Sequence, residues 1–518
     1  MKNYYITTAI PFANAAPHIG TAMDYLYGDI LLRYQTEILE NRALMSIGTD
    51  EHGAKIAEKA AENNQTPQEF VDSLQPEFQR MREMMNLDFA NILDIRTTDF
   101  DHKKRVQEIW RLLNKAGVIY KGKYEGWYCA GEERFFTDTE AKEQDYFCAD
   151  HQKPLEKLEE ENYYLRISKF TNEIREFAKN NIVPEFRGKE ILELVKNGAQ
   201  DVSISRPREK LSWGIPVPDD EDQTMYVWID ALSNYITVLN YPDKNTKLQD
   251  FWPADVEIVG KDILRFHAII WLAMLLALKL ELPKKILVHG HILNGGIKMS
   301  KSLGNVVSPI EIIENYGTDA FRYYFTRHIP VFDDGDFTWE KFENAYNGEL
   351  ANDLGNLVSR VANMINRYCD GRFEREVVQG FDLVENKQTE FKGYIGEKWD
   401  DDYEKAMKDL RFDIAIDLIW AIISDINRYI EIYKPWEKFK REQSGEEIDP
   451  FSRGPGGTSF DSLSEIARSI LHVSNLLKPF LPETSARIRE IFGGDKLPDE
   501  IPILFPKKYL HTPEPLRK

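Results

Sequence analysis

Apolar positions along this 518-residue chain change period several times, and each change predicts a change of element. Tyr4 to Ala9 is an apolar and β-branched run of strand length. It is closed by Pro11, Asn14 and Pro17, after which Thr21 to Leu39 takes up helical spacing. A second strand, Ala43 to Ile47, runs into Gly48-Thr49-Asp50-Glu51-His52-Gly53. This sets a carboxylate at the C-terminal edge of a strand, where open parallel sheets bind ligands. Met225 to Trp228, Val256 to Gly260 and Ile286 to Val288 read as further strands with helical segments between them. Trp228, Ala231, Leu232 and Tyr235 share one helical face, as do His267 and Trp271; on spacing alone such aromatic stripes read as core. Strand and helix thus alternate on both sides of 122–213, which predicts one parallel α/β sheet interrupted by an inserted module. Beyond about Asn344 the pattern is helical in Leu354–Asn366, Tyr403–Tyr433 and Leu463–Pro479, predicting a helical bundle broken by a Gly-, Ser-, Glu- and Pro-rich loop at 441–459. The predicted division is 1–121 and 214–290 for the sheet domain, 122–213 for the insert, 291–343 for a linking region and 344–518 for the bundle.

Composition narrows the function classes. The 66 basic and 86 acidic residues give a net charge of -20, which argues against non-specific adhesion to nucleic acid or membranes, so a polyanionic partner must meet a local basic face. Met1 to Ala9 lacks the layout of a signal peptide. The longest apolar run, Ala268 to Leu278, is shorter than the ~20 residues that span a bilayer. Cysteine occurs only at Cys129, Cys148 and Cys369, a sparse and odd set that fits a reducing compartment, so a cytoplasmic location is expected.

Three stretches carry candidate chemistry. Pro17-His18-Ile19-Gly20-Thr21 lies between a strand and a helix, where a glycine admits a ligand and free helical N–H groups suit a phosphate. Gly295-Gly296-Ile297-Lys298-Met299-Ser300-Lys301-Ser302 combines two glycines, two lysines three apart and hydroxyl donors, the makings of a clamp on a polyphosphate. Cys129 with Glu132, and Cys148 with His151, repeat the spacing of a tetrahedral zinc knuckle; the other reading is a hairpin pair held by packing.

The early His18-Ile19-Gly20 and the late Lys298-Met299-Ser300-Lys301-Ser302 together resemble the paired signatures of class I aminoacyl-tRNA synthetases. The stretches between them, Ile10 to Asn14, Gly48 to Gly53, Ile204-Ser205-Arg206, Tyr226 to Ala231, Gly260 to Ile263 and Phe266-His267, look like the methionyl-tRNA synthetase family. Asp353 to Leu357 and Lys434-Pro435-Trp436 extend the likeness over nearly the whole chain.

The resemblance implies a Rossmann-type catalytic domain with an inserted connective module, followed by an α-helical anticodon-binding domain. It implies a ligase that activates L-methionine with ATP to methionyl-adenylate, releasing pyrophosphate, and passes methionine to the terminal ribose of its tRNA. His18, Thr21, Lys298 and Lys301 would serve catalysis. Gly20, Gly260, Asp262 and Ser300, with both lysines, would hold ATP, which brings Mg²⁺ with it. Asp50 would take the substrate ammonium and Arg206 would help close the site. The pocket would be formed by Ile10, Phe12, Trp228, Ala231, Tyr235, Ile263, His267 and Trp271, overturning the core reading of both stripes. A thioether offers shape and polarizability rather than charge to such a pocket. Asn356, Arg360 and Trp436 would read the anticodon, with an exposed Trp436 stacking on a base. Lys434, Lys438, Lys440 and Arg441 form a local basic cluster that could meet phosphates. Zn²⁺ is implied at Cys129, Glu132, Cys148 and His151.

Three positions depart from the family pattern. Thr21 stands where the signature usually ends in histidine, Phe12 where tyrosine is common, and Glu132 where a cysteine is usual. In the family an oligonucleotide-binding appendage after the bundle often carries dimerisation; none is expected here, and with it a monomer is expected. The alternatives are a class I synthetase for another aliphatic amino acid, and a catalytically impaired paralogue that binds tRNA.

Overall fold

The computed structural model describes residues 1–129, 134–136, 138–148, 153–243, 247–299, 306–375, 397–445 and 458–511. A six-stranded sheet forms the centre: β1 (Asn3–Thr8), β2 (Arg42–Thr49), β3 (Ile92–Arg96), β4 (Ile182–Val183), β5 (Val256–Gly260) and β6 (Ile286–His289), in the order β3-β2-β1-β5-β6-β4. Every pairing is parallel. β5 and β6 are buried along their whole length, which is why they read as continuous apolar runs rather than alternating ones. From β1 the chain proceeds to β2 on one side, while β5 and β6 lie on the other. The order therefore reverses between β1 and β5, and a crevice opens beyond their C-terminal ends.

Helix α1 (Ile19–Arg33) connects β1 to β2 and is almost wholly buried; its last residues pass into one wide π-helical stretch, Tyr34–Ile38. Helix α2 (Phe100–Lys115) follows β3. Around 122–213 the chain makes an antiparallel sheet of Ile119–Cys129, Arg134–Phe136, Glu156–Leu165 and Val202–Ser203, so the expected boundary at 121/122 falls inside its first strand. It also returns to the main sheet: Ile182 pairs with Ile286 and Val183 with Leu287. Two residues leave no periodic trace, so the pattern alone placed this edge strand in the insert. The strand predicted over Met225–Trp228 ends at Met225, because Asp220–Met225 belongs to a small antiparallel sheet and Val227 already opens helix α3 (Val227–Thr237).

The C-terminal region contains α4 (Asn356–Tyr368), α5 (Glu397–Lys408), α6 (Phe412–Tyr433), α7 (Pro435–Ser444), α8 (Ser459–Leu477) and α9 (Pro482–Phe492). The helix expected over Tyr403–Tyr433 breaks at Leu410, whose φ of +59° no continuous helix accommodates. Among the described residues no helix is long and apolar enough to cross a membrane.

Sheet and bundle share one apolar core that runs from Ile6 to Phe505. A buried charge crosses it. Arg322, fully buried on the helix Thr318–Arg327, pairs with Asp29 of α1 at 2.7 Å. It also donates to the carbonyls of Phe480 (2.7 Å) and Pro479 (2.8 Å) between α8 and α9. Removing one partner of a buried pair leaves the other charge desolvated. Arg322→Leu is therefore expected to destabilise the protein by about 3–5 kcal/mol in urea unfolding, and a loss below about 1 kcal/mol contradicts this joint.

Candidate active site

The crevice is a cavity of about 850 Å³. Its first wall is the start of α1. His18 caps the helix: its backbone is extended (φ −126°, ψ 177°) and its Nδ1 accepts the Gly20 N–H at 3.0 Å. A Cβ on Gly20 would stand 2.9 Å from His18 Cε1, so the ring lies over the glycine and the His-x-Gly spacing is a local steric requirement. Ala22 N–H donates to His18 O at 3.2 Å, and the N–H groups of a helix's first turn are the kind that binds an anion. Thr21, buried on that turn, also lines the cavity.

The second wall comes from the ends of β5 and β6. Gly260 and Asp262 line it, and His291 Nε2 stands 3.4 Å from Asp262 Oδ1. Burial pushes the Asp262 carboxyl up, but the hydrogen bond and charge of His291 outweigh it and hold it below the usual carboxylate range. Asp24 of α1 and His289 of β6, neither anticipated from sequence, meet here at 3.0 Å. His289 ends a strand at the same edge as Asp50, so the rule that marked Asp50 marks it too. Lys55 and Lys59, one turn apart on the helix Ala54–Glu62, complete the rim.

From β6 the chain enters a hairpin of Ile292–Asn294 and Ile297–Lys298, joined by Gly295 and Gly296 at φ of +61° and +78°. Two successive positive φ values make the tight turn that matches strand twist, and glycine adopts them without strain. Ile292–Asn294 also pairs with Gly335–Phe337, and Met299 reaches the cavity. Ser300 and Lys301 lie outside the described residues.

The third wall is apolar. Ile10 and Phe12 lie on the loop after β1, and this loop is locked to Asp50. Asp50 N–H donates to Pro11 O at 2.9 Å, and Ala13 N–H donates to Asp50 O at 2.8 Å. From α3 come Trp228, Ala231 and Tyr235; from the segment after β5 come Ile263 and His267. Trp228 stacks on Phe266 with ring centres 4.0 Å apart. His267 Nδ1 faces the Ile263 carbonyl at 3.0 Å and so carries the proton, which leaves Nε2 to accept from Tyr235 Oη at 2.7 Å. Burial pushes His267 down to about 4, and the imidazole is neutral near neutral pH.

Trp271, expected on this wall, and Arg206, expected to help close the site, both stand behind it. Trp271 is fully buried; its indole N–H is claimed by Glu257 at 2.9 Å, and it backs Tyr235 with ring centres 5.6 Å apart. Arg206 donates to Ser203 Oγ (2.8 Å) and Ser205 O (2.7 Å), and its guanidinium lies 4.7 Å over the ring of Tyr226, which does line the cavity. Behind the apolar wall Asp230, also buried, accepts from His52 Nδ1 (2.6 Å) and His102 Nε2 (2.8 Å). This ties α3 to α2 and to the loop of Asp50. Burial raises Asp230, but the two imidazoles outweigh it and keep the carboxylate ionised.

The other two predicted sites lie elsewhere. Asn356 is exposed at the start of α4. Arg360, one turn on, donates to Glu431 at 2.5 Å. Trp436, expected to be exposed, is half-buried at the start of α7 because it packs on the shared core. Cys129 and Cys148 are both buried in a small core with Phe136, Ala141 and Leu155. Glu132 and His151 lie outside the described residues, among which no group of three metal-ligating side chains occurs.

Comparison with known proteins gives the family. The family model described as tRNA synthetases class I (M) matches residues 4–362. The methionine–tRNA ligase of Clostridium acetobutylicum is 41% identical over 493 residues, 94% of this chain and 73% of that protein. That of Brucella suis is 38% identical over 500 residues, 95% and 92% of the two chains. The structure of Mycobacterium tuberculosis methionyl-tRNA synthetase in complex with methionyl-adenylate superposes with a TM-score of 0.85 at 32% identity, covering 98% of this chain and 100% of that one. Its apo form gives a TM-score of 0.81 at 30% identity, covering 98% and 99%. The chain belongs to the class I tRNA synthetases of the methionine type, the methionyl-tRNA synthetases.

Proposed function

We propose that this chain activates L-methionine with ATP and transfers it to the 3′-terminal ribose of a methionine tRNA. The observation that carries the reading is one cavity holding a helix N-terminus capped by His18, the Asp50 carboxylate and an uncharged Tyr235–His267 pair. Phosphates sit at the start of α1 against His18 and the first-turn N–H groups, with Thr21 as a hydroxyl donor. Gly260 and Asp262 hold the ribose, and Asp50 takes the substrate ammonium. The methionine side chain lies against Ile10, Phe12, Trp228, Ala231 and Ile263, where a neutral His267 presents no charge to a thioether. Arg206 and Trp271 support the wall from behind. A carboxylate oxygen of methionine attacks the α-phosphorus and pyrophosphate leaves. The tRNA hydroxyl then attacks the activated carbonyl and AMP leaves. Both displacements need charge stabilisation and positioning more than a protein base. Lys298 and Lys301, with Ser300, stabilise the triphosphate charge that Mg²⁺ shares.

The same proposal places anticodon reading on Asn356, Arg360 and the free face of Trp436, and the site of action in the cytoplasm. For Zn²⁺, the buried Cys129 and Cys148 are thiols of the kind that metal takes, and the zinc reading rests on these two.

Amino-acid-dependent exchange of pyrophosphate into ATP tests the reading: exchange with methionine alone supports it, and exchange only with leucine or isoleucine overturns it. In that assay Lys301→Ala is expected to lower the rate by about 10²–10³-fold, with methionine binding unchanged. Equal losses in both contradict the role.

The pocket also has a pH signature. The unfolded chain binds a proton at the His267 imidazole from 6.5 downward, whereas the folded chain does so only near 4, so stability is lost as pH falls through that window. At about 1.4 kcal/mol per unit, wild type should lose about 3 kcal/mol more than His267→Gln between those limits in urea unfolding. Parallel losses contradict a buried neutral His267.

A further inference from the structure

His289 does not fit the role of a simple wall residue. Both of its ring nitrogens face acceptors: Nε2 is 3.0 Å from Asp24 Oδ1, and Nδ1 is 2.9 Å from the carbonyl of Gly290. Beside an ionised Asp24 a neutral imidazole, with one N–H, would turn a lone pair on one of these oxygens; only the imidazolium then satisfies both. The two acceptors belong to the two halves of the nucleotide site. Asp24 is on α1, on the same face as Thr21 and one turn further along. Gly290 is the root of the hairpin that carries Lys298.

That root is a tight joint. A Cβ on Gly290 would stand 2.1 Å from the carbonyl oxygen of Asp333, so the peptide is pressed against the segment leading into Gly335–Phe337. The next residue, Asp334, accepts from His291 N–H at 2.9 Å and from Lys261 Nζ at 2.8 Å, and Lys261 N–H donates to His289 O at 3.0 Å. Gly290 and His291 are thus fixed on the side of Gly335–Phe337, and the His289 carbonyl on the end of β5. The described side-chain bond from the root to α1 is the one His289 makes to Asp24.

We propose that His289, as an imidazolium held between Asp24 and the Gly290 carbonyl, is a positioning residue that fixes the lysine hairpin against the phosphate-binding start of α1. It touches no reacting atom in this role. Loss of its proton leaves the Gly290 carbonyl facing a lone pair and frees the hairpin root to turn. The inference rests on the nucleotide reading of the cavity given above.

The groups around the imidazole are Asp24 and Tyr27 of α1, Asp262 beyond β5 and His291 on the hairpin. Burial pushes His289 down, but Asp24, the Gly290 carbonyl and Asp262 together outweigh it and raise it above the ordinary imidazole value. Burial pushes Asp24 up against the opposing charge and hydrogen bond of His289, and it keeps Tyr27 un-ionised. With the folded value raised, the strut is complete below the free imidazole pKa and is lost as pH rises through the raised value.

The test is the pH dependence of methionine-dependent pyrophosphate exchange, between about pH 6 and pH 9.5, for wild type, Asp24→Asn and His289→Gln. Gln can donate to Asp24 but has no second nitrogen for Gly290. The expected result is an alkaline limb in wild type that moves to lower pH by about one unit in Asp24→Asn. In His289→Gln the limb is absent, with kcat/KM for ATP reduced about tenfold at every pH and the KM for methionine unchanged. Wild-type ATP kinetics in His289→Gln, or equal losses for methionine and ATP, overturn the inference. Failure of wild type to exchange at all overturns the functional reading instead. In that event, ¹⁵N resonances of labelled histidine, assigned by their loss in His289→Gln, still decide the strut. Both ring nitrogens protonated at neutral pH support it, and a neutral tautomer contradicts it.

Discussion

Everything in the cavity depends on the reversal of strand order between β1 and β5. Parallel strands end on one edge, and the reversal sends their connections to opposite sides, so the chain cannot cover the point where β1, β5 and β6 finish. The start of α1, the Asp50 loop, Gly260 with Asp262, and His289 with the hairpin beyond it all emerge there. Segments more than two hundred residues apart in sequence meet because the sheet register leaves them no other place. Arg322 extends the constraint into the bundle by gripping Asp29 at the buried middle of α1.

The cavity sorts charge by wall. On the nucleotide side, carboxylates and imidazoles alternate, Asp24 with His289 and Asp262 with His291, so charge is present but paired. On the apolar side the Tyr235–His267 bond is neutral, Asp50 stands at the edge where the substrate ammonium would lie, and the Asp230 carboxylate is kept behind α3 between two imidazoles. A site that joins a charged nucleotide to an uncharged thioether needs this separation, since an unpaired charge beside the apolar wall would carry a desolvation cost without a partner.

What the sequence revealed follows the range of each interaction. His18 and Gly20 were legible because one caps the helix and the other makes room for its ring, within three residues. Asp50 was legible from its place at a strand end. The apolar faces of α3 and of 263–271 were legible as faces, but periodicity does not tell cavity wall from core. Trp271 shares a face with His267 and still turns to Glu257, and Trp436 packs on the core where a free surface was expected. Asp24 and His289 escaped notice because their partnership spans 265 residues. The strand Ile182–Val183 escaped because two residues carry no period.

The central claim is that one end of this cavity takes methionine through Asp50 independently of the nucleotide end. Calorimetric titration of methionine into the protein without ATP tests it most directly. Wild type is expected to bind, Asp50→Asn to bind about 30-fold or more weakly, and ATP binding to be undiminished in the same variant. Methionine binding that survives Asp50→Asn, or ATP binding that falls in step with it, would contradict the account.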